Sequence, residues 1–136
     1  MEKLKSITAG KKRYPYKIDM FVLEKLQEEY WDILSFELAL KGLEVSRDKS
    51  GQTVYGADGK PILKKRHFSL KALNMILPLM VNEGLQIEAD QKHESFEPVD
   101  EVDFIRGLEI NPYELHAAVV EEFDRCFETK KGSRLS

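Results

Sequence analysis

The chain has 136 residues, enough for one domain that buries about two-thirds of the surface its unfolded form exposes. With 42% hydrophobic residues, seven Phe and five Tyr it can build a core, which excludes a disordered chain. A net charge of −3 and an isoelectric point near 5.7 argue against nucleic acid as the main partner, because phosphate binding needs a basic footprint.

The single cysteine, Cys126, excludes an internal disulfide and a cysteine-based metal cage, and its place near the inner face of a predicted helix makes it a small core residue. Met1-Glu2-Lys3-Leu4-Lys5 leads into a polar strand, so no secretory signal is expected. The longest apolar run, residues 75–81, contains Pro78 and is too short for a bilayer. The chain reads as cytoplasmic, with no membrane partner.

Residues 4–18 predict a β-hairpin. Residues 4–9 alternate, Gly10 with the lysines supplies the turn, and residues 14–18 resume extended structure. Pro15 has no N–H for a ladder, which forces its part of the second strand to an edge. Asp19 then caps a first helix carrying Met20, Leu23, Leu26 and Tyr30 on one side and Glu24, Lys25, Glu28 and Glu29 toward water. After a break at Trp31-Asp32, a second helix places Ile33, Phe36, Leu40 and Leu43 together and closes at Gly42. Residues 44–68 turn polar. Glycine turns at 48–51 and 57–61 bracket Thr53-Val54-Tyr55, which predicts an exposed hairpin or loop.

Ser69 opens a third helix, expected to end near Gly84, apolar nearly all round. Its polar stripe is Lys71, Asn74 and Asn82; Pro78 shares that line, so it is expected on the outer, convex side, where it bends the helix. An acidic connection (Glu88, Asp90, Glu94, Glu97) and Pro98 precede a short helix from about Asp100 with Val102, Ile105 and Leu108 inward. Asn111-Pro112-Tyr113-Glu114 joins a cap, a proline at the first position and a glutamate at the third, a strong helix start. The last helix runs to about Phe127, burying Leu115, Val119, Phe123 and Phe127 or Cys126, with Glu114, Glu121, Arg125 and Glu128 outward. The predicted class is α+β, mainly α-helical: an N-terminal β-hairpin, then about five helices, with a second exposed hairpin or loop between helices 2 and 3. One domain covers 1–136, divided into 4–18, 19–43, 44–68, 69–128 and a polar tail at 129–136.

No catalytic, cofactor-binding or metal-ligating residue is nominated, and no cofactor is expected. Asp90, His93 and Glu94 lie close in sequence but in a solvated connection; His116 reads as a boundary residue and His67 has no partner in view. Residues 100–127 have the outline of a helix-turn-helix, which gives the alternative of a small regulatory or DNA-associated protein. The second helix would offer phosphate Glu114, Glu121, Glu122 and Asp124 against Arg125 alone. For protein binding the candidates are the cations Lys11, Lys12 and Arg13 and the aromatics Tyr14, Tyr16 and Trp31.

The order of parts carries a resemblance. A basic hairpin ends in Tyr14-Pro15-Tyr16-Lys17-Ile18-Asp19, a helix ends in Leu26-Gln27-Glu28-Glu29-Tyr30, and a short helix carries Phe36-Glu37. A variable hairpin, an apolar helix over 72–84, an acidic Glu97-Pro98-Val99-Asp100 helix and a closing helix with Glu122-Phe123 follow. Over residues 4–128 the chain resembles the tail assembly chaperones of long-tailed bacteriophages and Gram-positive prophages. Where that family leads one to expect glycine after the first helix's last aromatic, this chain has Trp31. The resemblance implies a non-enzymatic protein that keeps the tape-measure protein soluble and recruits tail tube subunits. It also implies a longer frameshifted form, for which codons 129–132 (Thr-Lys-Lys-Gly) are a candidate slip site.

Overall fold

The computed structural model describes residues 3–30 and 32–128. Trp31 and the tail at 129–136, with the candidate slip site, lie outside the described residues. The fold is α+β and mainly helical, an N-terminal antiparallel hairpin followed by five helices.

Strands β1 (Lys5–Ala9) and β2 (Lys12–Tyr16) pair antiparallel, Ala9 opposite Lys12 and Ser6 opposite Pro15. The second strand thus begins at Lys12, earlier than residue 14. The two-residue turn holds Gly10 at φ 64° while Lys11 stays at negative φ, the pattern of a type II′ turn that matches strand twist. Both strands of such a ribbon are edges, so Pro15 is tolerated.

Helices α1 (Met20–Tyr30), α2 (Ile33–Lys41), α3 (Leu70–Lys92), α4 (Glu101–Arg106) and α5 (Pro112–Cys126) start where local cap chemistry starts them. The Asp19, Asp32, Ser69, Asp100 and Asn111 side chains each accept a bond from an N–H two or three residues on. Helix α3 is central and packs against β2, α1, α2, α4 and α5. It buries Ala72, Leu73, Ile76, Leu77, Met80 and Val81, which join Ile18, Leu26, Phe36, Leu40, Val119 and Phe123 in one core.

Several expectations are corrected. Helix α3 does not end near Gly84; it runs to Lys92 and closes on His93, at φ 56°, so Glu88 and Asp90 are helical. Gly84 serves close approach instead. A Cβ there would collide with the Pro15 carbonyl and stand 2.7 Å from the Tyr16 nitrogen, and without it the Lys17 N–H reaches the Met80 carbonyl at 3.0 Å. Pro78 is buried rather than on an outer face, because the 93–100 connection and α4 cover the line it shares with Asn82. There the Asn82 Oδ1 accepts the Val99 N–H at 2.7 Å.

In α1 the buried pair is Val22 and Leu26, while Met20 and Phe21 project outward. In α4 Ile105 packs against the core as expected, with Leu108 just beyond it, but Phe104 is the buried residue, set edge-on to Tyr14 at 5.0 Å, and Val102 is exposed. Arg125 does not face out. It turns back to the buried Glu122, which is 2% exposed, and the two form a clamp on Ile18 whose Arg125 side is partly open to solvent. Glu122 Oε2 accepts the Ile18 N–H at 2.8 Å, and Arg125 donates to the Ile18 carbonyl at 2.6 Å and to both Glu122 oxygens at 2.7–2.8 Å. Both backbone groups of a fully buried residue are thereby satisfied.

Between α2 and α3 an arm projects. Strands β3 (Leu43–Val45) and β4 (Leu63–Lys65) pair antiparallel, and bridges join Arg47 to Thr53 and Tyr55 to Pro61. At its centre, Ser46 N–H donates to the Ile62 carbonyl, Ile62 N–H to the Val54 carbonyl and Val54 N–H to the Ser46 carbonyl, all at 2.8–2.9 Å. Three chain segments close a ring of backbone bonds. Among the described residues no helix is long and apolar enough to cross a membrane.

Candidate protein-binding groove

The arm returns to the body at a junction built by Gly42. Its φ of 74° ends α2, and a Cβ there would stand 2.6 Å from the Arg66 carbonyl and 3.0 Å from the Phe68 nitrogen. The returning backbone is pinned by Arg66 N–H to the Gly42 carbonyl (2.8 Å) and Ser69 N–H to the Ala39 carbonyl (2.9 Å). These bonds fix Phe68 at the foot of α3.

The start of α5 reaches the same place. His116 Nε2 lies 2.6 Å from the Leu40 carbonyl, and since a carbonyl only accepts, that nitrogen carries the proton. So anchored, the imidazole stacks on the Phe68 ring, centroids 3.7 Å apart and planes 14° apart. Tyr113 stands edge-on to Phe68 at 6.2 Å. The result is a groove of about 470 Å³ lined by Lys41, Arg66, His67, Phe68, Leu70, Pro112 and Tyr113. Its walls are exposed apolar side chains, Tyr113 at 76% and Leu70 at 58%. Lys41 is held by Glu37 at 2.7 Å and Asp124 at 2.6 Å, so one edge is rigid. Aromatic walls above a fixed floor suit the anchoring of a partner's side chains.

A second recess, of about 280 Å³, lies between α1, α3 and the 93–100 connection, with Phe21, Lys25, Leu79, Glu83 and Phe96 among its residues. Burial, with a hydrogen bond to the Asp19 carboxyl, pushes Glu83 up to about 7. Below about pH 7 a proton shared by Glu83 and Asp19 would tie α3 to the cap of α1.

The residues nominated from sequence are dispersed along the N-terminal hairpin rather than gathered in either recess. Lys11 is exposed at the turn; Lys12 Nζ lies 5.3 Å from the Tyr14 ring centroid; Arg13 pairs with Glu88 at 3.0 Å. Tyr14 is half-buried against Phe104, and Tyr16 is a core residue, where burial raises its hydroxyl's pKa. Trp31 lies outside the described residues. His67 lines the groove, and His93 caps α3. Asp90 accepts a bond from Gln86, and among the described residues no three His, Cys, Asp or Glu side chains are placed to hold a metal ion. In the helix-turn-helix outline, Glu122 is spent on the Ile18 clamp and Glu121 pairs with Lys5 at 2.8 Å, while Glu114 remains an exposed carboxylate that would repel phosphate.

Sequence reasoning missed the groove because its residues come from two helix starts about forty positions apart and from a turn (Gly42). The available signal was the alternation of cations with Ile62, Leu63, Phe68 and Leu70. Compared with protein-family models, curated proteins and solved structures, the chain matches none of them.

Proposed function

We propose that this protein is a binding module with no bond-making step of its own, a tail assembly chaperone of a long-tailed phage or Gram-positive prophage. It works in the host cytoplasm, keeps the tape-measure protein soluble and brings tail tube subunits to it. The resemblance in element order supplies the family; one observation supports the mode of action. Tyr113 and Leu70 stand exposed over the immobilised Phe68–His116 stack, an apolar surface held ready for another macromolecule.

Co-expression with the tape-measure protein tests the reading. Soluble yield of that protein is expected to rise several-fold, with the two co-purifying. Unchanged yield without co-purification would overturn it.

A further inference from the structure

Residues 59–82 contain five of the chain's 21 Lys and Arg and none of its 24 Asp and Glu, leaving sixteen cations against twenty-four carboxylates elsewhere. This carboxylate-free stretch supplies β4, the return to the body and the first half of α3, one whole side of the Phe68 groove. Glu44 is shared by Lys64 at 3.3 Å and Arg66 at 3.5 Å, too little charge to balance both. Among the described residues no ion pair holds Lys65 or Lys71, and both side chains are exposed. Among the described residues none that lines the groove is a carboxylate; Lys41 is spent on Glu37 and Asp124, so the positive character rests on Arg66 with Lys65 and Lys71 beside it. An acidic protein thus carries a cationic, aromatic recess here.

We propose that this groove docks an acidic segment of a partner protein, whose apolar side chains seat against Phe68, Leu70 and Tyr113 while its carboxylates face Lys65, Arg66 and Lys71. The inference rests on the binding-module reading but not on which protein is bound. Apolar anchoring supplies the hold, and the exposed cations select an anionic segment over a cationic one and speed the encounter. The Glu44 pairs are solvent-exposed and weak, so Arg66 exchanges its partner at little cost.

The probe is a fluorescein-labelled peptide of alternating leucine and glutamate pairs, compared by anisotropy with a counterpart bearing lysine at every glutamate. The glutamate peptide is expected to bind about tenfold or more tightly than the lysine peptide and to weaken as salt is raised. Tyr113→Ala and the double variant Lys65→Glu, Lys71→Glu change exposed side chains only; each is expected to cost about fivefold or more in affinity with an unchanged melting temperature. Phe21→Ala, in the other recess, is the control and should bind as the parent does. Equal binding of both peptides, binding of neither, or loss through Phe21→Ala alone would overturn the proposal. Failure of the peptide with retained tape-measure co-purification would sink this groove while leaving the chaperone reading intact; the reverse result would do the opposite.

Discussion

Where β2 gives way to α1, Ile18 is fully buried and both its backbone groups are held by the Glu122–Arg125 clamp from a helix more than a hundred residues on. In the arm between α2 and α3, three segments are joined by a ring of backbone bonds with exposed polar pairs such as Glu44–Lys64 around it, and no side chain between 44 and 66 is buried. The contrast separates two jobs. Cohesion of the body depends on long-range packing and one charged pair in the core, whereas the arm is a locally specified structure that delivers Arg66, His67 and Phe68 to the surface.

The largest effect should come from the clamp. Glu122→Ala removes the carboxylate that Arg125 bonds and leaves the buried Ile18 N–H without an acceptor, while water can reach the partly exposed Arg125, so unfolding free energy is expected to fall by about 2–3 kcal/mol, read from urea melts. A loss no greater than that of an exposed substitution would mean that the body does not depend on it. A middle-sized effect is expected at Glu83. Its carboxyl is held up to about 7 in the folded protein against 4.5 for an ordinary glutamate, so the folded state keeps the proton to higher pH. The stability this gives is complete below about pH 4.5 and is lost as pH rises through 7. Solvent screening of this partly exposed group reduces the change to about 1 kcal/mol, visible as the difference in pH slope between the parent and Glu83→Gln. The smallest effect belongs to the arm's tip. Asp58→Ser is expected to shift stability by less than about 0.5 kcal/mol, and a larger loss would show the arm to be coupled to the core.

Much of this architecture was legible because its causes are short-range. The caps at Asp19, Ser69 and Asn111, the stop at Gly42 and the glycine turns of the arm depend on residues within four positions of each other, and the sequence displays them side by side. Gly84 misled because glycine ends a helix or admits a neighbour, and only the arrival of Pro15 from sixty-nine positions away decides between the two. Pro78 and Val102 misled for the same reason: periodicity says which residues share a line, not what covers it. Glu122 reads as one more surface carboxylate until Ile18 is brought against it. The groove stayed hidden on similar grounds, since Phe68 and Tyr113 meet only after α2 has positioned both.

The ring linking Ser46, Val54 and Ile62 gives the arm one last property. An ordinary hairpin frays from its open end, one rung at a time. A closed triangle of bonds has no loose end, so releasing any one segment strips partners from the other two. The outrigger is therefore expected to open as one unit, whole or undone, from a base that the Arg66 and Ser69 backbone bonds hold to the body.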